Sequence, residues 1–344
     1  MAVGNGITNE TRIDHLRWMI RARALDDRMA TLYRQGSRIV GKVFLGRGQE
    51  AFSAAGTMPL VRPAPGVPGD VFAPLIRDLA GRLAFGEALV ESARVCLGRA
   101  TSKMRGRDGN VHRGDISQGL WPMVSHLGCM LAPCAGAMLA RRLSGRETPG
   151  DLAVAATCIG DGGMATGAIS EALNLIAVEH LPVVLVVVDN QYAYSTPRRQ
   201  GAAIQDFAER AAGFGVRAHR CDGTDADDSL KAVFSAVSAA RKGEGPQMVS
   251  ARLLRLCGHG EHDDAAYIDP ALRSQYGDCL DLAERRLRDE GLLDEAKAEA
   301  LRREVRAEVD AAFATALAEP EARLADEDWR VHADPVLAHA GGVR

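Results

Sequence analysis

Strong charge is the first thing this sequence lacks. Its 344 residues carry a formal net charge of −3, with no long basic run. That balance gives no reason to expect nucleic acid or an anionic membrane as a partner. Long apolar runs are missing too. The longest, Leu181 to Val188, falls far short of the roughly 20 residues a membrane helix needs. The opening residues, Met1-Ala2-Val3-Gly4-Asn5-Gly6, lack the charged-then-apolar pattern of an export signal, so the expected location is cytoplasmic. No two cysteines form a C-x-x-C pair. The seven present, at 96, 129, 134, 158, 221, 257 and 279, sit scattered among apolar residues and glycines. Such a set reads as small buried hydrophobes, not as disulfides or a zinc site. No internal repeat or low-complexity tract stands out.

What is present is enough apolar sequence for a sizeable core, 47% of the chain. From Asp14 to Gln35, apolar residues recur at helical spacing (Leu16, Met19, Ile20, Met29, Leu32, Tyr33) and Gly36 follows as a stop. Gly41 to Gly48 reads as a turn leading into a helix at about Gln49. A further helix is expected over Arg77 to Val90, and a small-residue helix over Leu131 to Leu139. Three runs read as strands: Leu152 to Ile159, Leu181 to Val188 and Gln247 to Leu256. Continuous Val/Leu runs indicate strands buried on both faces, hence a parallel sheet covered by helices. Gly167 to His180 fits one crossover helix between the first two, a βαβ unit. The fold class expected is therefore α/β. Its main domain covers residues 1–270, and a charged C-terminal helical hairpin and tail, 271–344, packs on it. Thr101 to Gly119 is too polar for a core element, and a polar loop of that length is usually functional or disordered.

The chemistry concentrates at two strand ends. In an open parallel sheet, ligands bind beyond the carboxyl ends of the strands. Asp161, within Gly160-Asp161-Gly162-Gly163, and Asn190, within Asp189-Asn190-Gln191-Tyr192-Ala193, both fall there. Magnesium wants oxygen ligands: one or two carboxylates, with phosphate oxygens or waters completing an octahedron. Asp161 offers a carboxylate, Asn190 an amide oxygen, and Tyr192 a backbone carbonyl. The glycines let backbone amides approach a phosphate, and the following helix points its N-terminus there. The residues themselves thus indicate magnesium and a diphosphate, without naming the ligand.

The pair Gly160-Asp161-Gly162 and Asn190 resembles the thiamine diphosphate motif. The wider string Val188 to Pro197 is similar to the alpha subunit of the decarboxylating component of 2-oxo acid dehydrogenase complexes, as in pyruvate, branched-chain 2-oxo acid and acetoin dehydrogenases. The resemblance runs over nearly the whole chain. Leu25 to Met29, Leu32 to Gly36, Gly48-Gln49-Glu50-Ala51, Cys221 to Asp225, Gly243 to Pro246 and Glu290 to Leu293 all match stretches of that family. It implies a three-layer thiamine diphosphate-binding fold with helical extensions at both ends.

By that resemblance, Asp161, Asn190 and the Tyr192 carbonyl hold Mg2+, and Gly162 and Gly163 line the diphosphate. Arg77 matches the family's diphosphate arginine, although Ile76 stands where a tyrosine is frequent. Ser125 and Leu127, in Ser125-His126-Leu127-Gly128, match the stretch that meets the aminopyrimidine ring. His259, within Cys257 to Asp264, matches the catalytic histidine and would also contact the cofactor. Read without the family, His259, His262 and the neighbouring carboxylates are equally a metal site or a solvated loop. His112 resembles a second active-site histidine. Cys129 and Met130 replace the pair that binds potassium in some relatives, and Gly260 replaces a serine phosphorylated in animal ones. The implied activity is oxidative decarboxylation of a 2-oxo acid with acyl transfer to a lipoyl-bearing acyltransferase. His259 would move a proton during the hand-over. The glutamate that activates the cofactor belongs to a separate beta subunit in this family, so the expected partner is a beta chain in an α2β2 tetramer. Other two-chain thiamine diphosphate enzymes, an acetoin dehydrogenase alpha subunit and a non-catalytic scaffold of the same fold are the alternatives.

Overall fold

The structure, a computed structural model, describes residues 6–36, 39–64, 69–108, 111–145 and 147–326. The expected polar tail, from Pro320, is described only as far as Asp326; the rest lies outside the described residues.

In chain order the principal elements are α1 (Asn9–Arg34), α2 (Glu50–Ala55), β1 (Val71–Ala73), α3 (Leu79–Phe85), α4 (Leu89–Cys96), α5 (Leu131–Leu143), β2 (Ala155–Gly160), α6 (Asp161–Met164), α7 (Gly167–Val178) and β3 (Val183–Asp189). There follow β4 (Tyr192–Ala193), β5 (Thr196–Pro197), α8 (Arg198–Gly201), α9 (Phe207–Gly213), β6 (Arg217–Asp222), α10 (Ala226–Arg241), β7 (Gln247–Arg252), α11 (Pro270–Gln275), α12 (Cys279–Asp289) and α13 (Glu295–Ala318).

Five strands form one parallel sheet in the order β1-β2-β3-β7-β6. The central strand β3, Val-Val-Leu-Val-Val-Val-Asp, is buried throughout. Its alternate residues serve opposite faces, as the two-residue period of a strand requires. Val184, Val186 and Val188 pack with Phe52 of α2 and with Leu230, Val233 and Val237 of α10. Val183, Leu185 and Val187 pack with Leu131 and Met138 of α5, with Ile169, Leu173 and Ile176 of α7, and with Phe207 of α9. The result is helix, sheet, helix in three layers, as expected, with β2, α7 and β3 forming the βαβ unit.

The helical extensions wrap this core. Leu16, Met19 and Ile20 of α1 bury against Leu280, Leu287, Leu301 and Val305 of α12 and α13. One turn further along, Leu25 and Met29 meet Leu79, Leu83, Cys96, Val309 and Phe313. The charged C-terminal hairpin therefore packs one apolar face on the helices of the main domain.

Other expectations change in detail. Helix α1 begins at Asn9, earlier than Asp14, because Thr8 and Thr11 form a reciprocal capping box. The single helix expected over Arg77 to Val90 is two, α3 and α4. Gly86 caps α3 in the left-handed region at φ 115° and breaks the run. Strand β7 ends at Arg252, and the residues expected to extend it turn into the site.

Candidate active site

The carboxyl ends of four parallel strands converge. Beyond β1 lies Arg77, beyond β2 Asp161, beyond β3 Asn190, and beyond β7 Arg255 and His259. The register sets Gly160 beside Val188 and Asp189 beside Arg252, so the polar residues leave the sheet at nearly one level.

Asp161 is buried, and one carboxylate oxygen accepts from the Gly162 amide at 2.9 Å. The other, Oδ2, is sealed from solvent with no partner. Burial, with the nearby Asp189 charge adding to it, pushes the group up to about 6. A carboxylate with an orphaned oxygen is short of a counter-charge. Asn190 is also buried; its amide nitrogen donates to Gln49 Oε1 at 2.6 Å, which leaves its oxygen as the free acceptor. That oxygen faces the Tyr192 amide at 3.4 Å. The Tyr192 carbonyl accepts from Arg255 Nη1 at 3.3 Å, a long bond. The oxygen donors expected for magnesium are therefore present and underused. Gly162 and Gly163 have a packing reason to be glycine as well. A Cβ on Gly162 would lie 2.5 Å from Ala193 Cβ, and one on Gly163 would lie 2.6 Å from Ile159 Cγ1.

A cationic cluster flanks these donors. Arg77 Nη2 donates to the His259 carbonyl at 2.5 Å and to His259 Nδ1 at 3.2 Å. An arginine has no acceptor, so Nδ1 must be the bare nitrogen and the proton sits on Nε2. Burial first, then the charges of Arg77 and Arg255, lower His259 to about 4. The imidazole is thus neutral near pH 7. Burial and the Arg255 charge also lower Arg77, to about 10. The Phe44 ring stands edge-on to His259 with centroids 5.2 Å apart, and Tyr194 covers it at 4.3 Å.

Asp263 builds the turn that carries His259. Its Oδ2 accepts from the His259 amide at 2.6 Å and from the Tyr267 hydroxyl at 2.7 Å. Although burial opposes it, those bonds and one from the Ala265 amide hold it at about 2. Among the described residues, His259, His262 and the adjacent carboxylates do not close into a group of three metal ligands. The one group that does, Glu50, Asp278 and Cys279, is bridged by ion pairs from Arg23.

The stretch 125–128 abuts α6. A Cβ on Gly163 would touch Leu127 Cβ at 3.5 Å, and one on Gly128 would meet Thr166 Oγ1 at 2.4 Å. Ser125 Oγ in turn lies 2.5 Å from His112 Nε2. Contacts thus connect Arg77 and His259, through the Arg255 guanidinium, to Tyr192 and Asn190; Gly162, next to Asp161, packs on Ala193, Gly163 on Leu127, and Ser125 on His112.

Two residues escaped the sequence reading. Arg255, 1% exposed, bonds the carbonyls of Tyr192, Tyr194 and Cys257 and the Tyr267 hydroxyl, so one guanidinium ties the Asn190 loop to the His259 loop. Gln49 aims the Asn190 amide. The match at Gly48-Gln49-Glu50-Ala51 marked the second position without giving its task, and nothing in the local pattern marked the first.

A parallel α/β sheet with a carboxylate, an amide and two guanidiniums at its carboxyl ends is the architecture of an enzyme site for a phosphorylated ligand. Comparison with known proteins makes that class specific. The family model of the dehydrogenase E1 component matches residues 16–325. The alpha subunit of acetoin:2,6-dichlorophenolindophenol oxidoreductase from Cupriavidus necator is 30% identical over 320 residues, 92% of each chain. The 2-oxoisovalerate dehydrogenase alpha subunit of Bacillus subtilis is 30% identical over 260 residues, 75% of each chain. The pyruvate dehydrogenase E1 component alpha subunit of Rhizobium meliloti is 27% identical over 303 residues, 87% of this chain and 83% of that one. The chain belongs to the dehydrogenase E1 component family.

Proposed function

We propose that this chain is the alpha subunit of a two-chain, thiamine diphosphate-dependent E1 enzyme. It decarboxylates a 2-oxo acid, pyruvate or a branched-chain one, and passes the acyl group to a lipoyl-bearing acyltransferase. The observation that carries the reading is the convergence of Arg77, Asp161, Asn190 and His259 beyond four strand ends, in a chain of this family.

The residues fit the cofactor. Asp161 Oδ2, the Asn190 amide oxygen and the Tyr192 carbonyl are assigned to Mg2+, and the orphaned Asp161 oxygen is the observation that favours it. Arg77 is assigned to the diphosphate, with the backbone of Gly162 and Gly163 beside it, and Ser125 and Leu127 to the aminopyrimidine side. When bound, thiamine diphosphate supplies the electron sink that decarboxylation of a 2-oxo acid needs. The chain's own work is to hold, shield and move protons. Arg77 keeps His259 in the Nε2–H form, so Nε2 offers a proton to the acyl acceptor. Phe44 and Tyr194 pack on the His259 ring and limit its access to water. His112 stands next to Ser125.

The subunit names of the relatives support a beta-chain partner, for which an α2β2 assembly is proposed. The acetoin relative, matched over 92% of this chain, favours acetoin as the second reading of the substrate. One experiment tests both. The chain is reconstituted with its beta subunit, thiamine diphosphate and Mg2+, and turnover of pyruvate, branched 2-oxo acids and acetoin is compared. Turnover of a 2-oxo acid that Asp161→Ala abolishes is expected; a clear preference for acetoin would overturn the 2-oxo acid reading. Full-rate turnover by the chain alone would overturn the two-chain one.

A further inference from the structure

The loop that carries His112 is too polar for the core, and the structure shows what it builds. Asp108 Oδ2 lies 3.0 Å from His112 Nδ1, and Ser125 Oγ lies 2.5 Å from His112 Nε2. Carboxylate, imidazole and hydroxyl stand in one hydrogen-bonded line. Asp108 and His112 are each about a third exposed, at 33% and 36%.

The carboxylate fixes one proton of that line. It only accepts when ionised, so His112 Nδ1 carries a hydrogen. With one hydrogen on the ring, Nε2 is bare and the Ser125 hydroxyl donates to it. His259 is the opposite case, with Nδ1 bare beneath Arg77 and the proton on Nε2. The two histidines are held in opposite tautomers, one as a donor and one as an acceptor.

We propose that Asp108, His112 and Ser125 form a proton relay that accepts a proton during acyl transfer, while His259 acts as the donor. The inference rests on the proposed function. Acyl hand-over to a disulfide breaks the S–S bond and the bond that holds the acyl carbon to the cofactor, whose electron pair returns to the cofactor; it forms an acyl C–S bond and moves two electrons onto the acceptor. The sulfur not acylated gains one proton, and the acyl oxygen, a hydroxyl before transfer and a carbonyl after, loses one. His259 Nε2–H is placed to give the first. Ser125 takes the second at Oγ while its own hydrogen passes to His112 Nε2, and the Asp108 carboxylate stabilises the imidazolium that forms. Asp108 is a positioning residue: it acts through His112 and touches no reacting atom.

Two measurements test this. The first needs neither cofactor nor turnover. Imidazole 15N shifts of the chain, with His112 assigned by difference against His112→Gln, report its tautomer. The Nδ1–H form is expected in the native chain and an Nε2–H or mixed form in Asp108→Asn; an Nε2–H ring in the native chain would overturn the relay. The second compares turnover coupled to the lipoyl acceptor with turnover coupled to 2,6-dichlorophenolindophenol, using the chain reconstituted with its beta subunit. In Asp108→Asn and Asp108→Ala the ratio of lipoyl to dye turnover is expected to fall about 10-fold, with partial recovery in Asp108→Glu. An equal fall in both rates would make Asp108 merely structural and sink the proposal. If the native pair turns over no substrate, the proposed function fails, and the tautomer still decides the Asp108–His112 arrangement.

Discussion

At the scale of single residues, the site is a set of groups kept away from their preferred charge or partner. Asp161 is the clearest. Its carboxyl, ordinarily near 3.9, is raised to about 6 by burial. A carboxyl raised on folding contributes stability that is present below its unfolded value and lost as pH climbs through the folded one. Without a cation, the chain should therefore lose stability from this group as pH rises from about 4 to about 6. A cation that needs the ionised carboxylate works the other way. With thiamine diphosphate and the beta chain present, the rise in melting temperature produced by Mg2+ should be larger near pH 7.5 than near pH 5. Thermal melts across that range check this, and a rise independent of pH would remove Asp161 from the metal. His259, lowered to about 4, is neutral in the folded chain at both pH 5 and pH 7.5, so it adds nothing to the pH dependence of the Mg2+ effect; in the metal-free chain its own contribution runs against that of Asp161, destabilising as pH falls from about 6.5 to about 4.

At the scale of elements, single positions decide where helices stop and which loops enter the site. Gly86 is the break between α3 and α4. Its φ of 115° is a region that L side chains rarely adopt, and an added Cβ would lie 2.1 Å from Arg62 Nη1. Gly86→Ala should cost about 1–3 kcal/mol through backbone strain, measured by urea denaturation. The break also frees Glu87. Its buried carboxylate pairs with Arg82 and with Arg113 and accepts from Ser92, anchoring one end of the polar loop that carries His112. The polarity of that loop marked it only as functional or disordered, and the partners of Glu87 come from α3, α4 and the loop itself. Strand β6 shows the converse. Its sequence, Arg-Ala-His-Arg-Cys-Asp, is polar because it is an edge strand with exposed positions, so it gives no apolar run to recognise. Strand β1 has only three residues, too few for any period to show.

At the scale of the whole molecule, buried ion pairs lock the helical extensions to the sheet. Arg12 on α1, 5% exposed, bonds Asp227 in the first turn of α10 at 2.7 and 2.6 Å. It also bonds Glu290, just past α12, at 2.5 and 3.0 Å. One side chain joins three elements. Arg12→Met should destabilise the chain by about 2–3 kcal/mol, because Asp227 loses its principal counter-charge in a half-buried place. A shift in the denaturation midpoint with an unchanged slope is the expected signature.

The local sequence was enough for the parallel sheet, the βαβ unit and the placing of Asp161 and Asn190 at two strand ends. The reason is physical: a strand buried on both faces must be apolar throughout, and polar groups that serve a site at its end must lie among the first residues after that run. Leu181 to Asn190 states both facts in ten consecutive letters. Resemblance added Arg77, Ser125, Leu127, His112 and His259 as candidates, without saying how they meet. Only the tertiary structure decided what each of them faces. Arg77 sets the tautomer of a histidine 182 positions away, Gln49 orients an asparagine 141 positions away, and Arg255 ties its own loop to one 61 to 63 positions away. Such pairings depend on which strand ends become neighbours, and strand order is a property of the folded sheet, not of any local pattern along the chain.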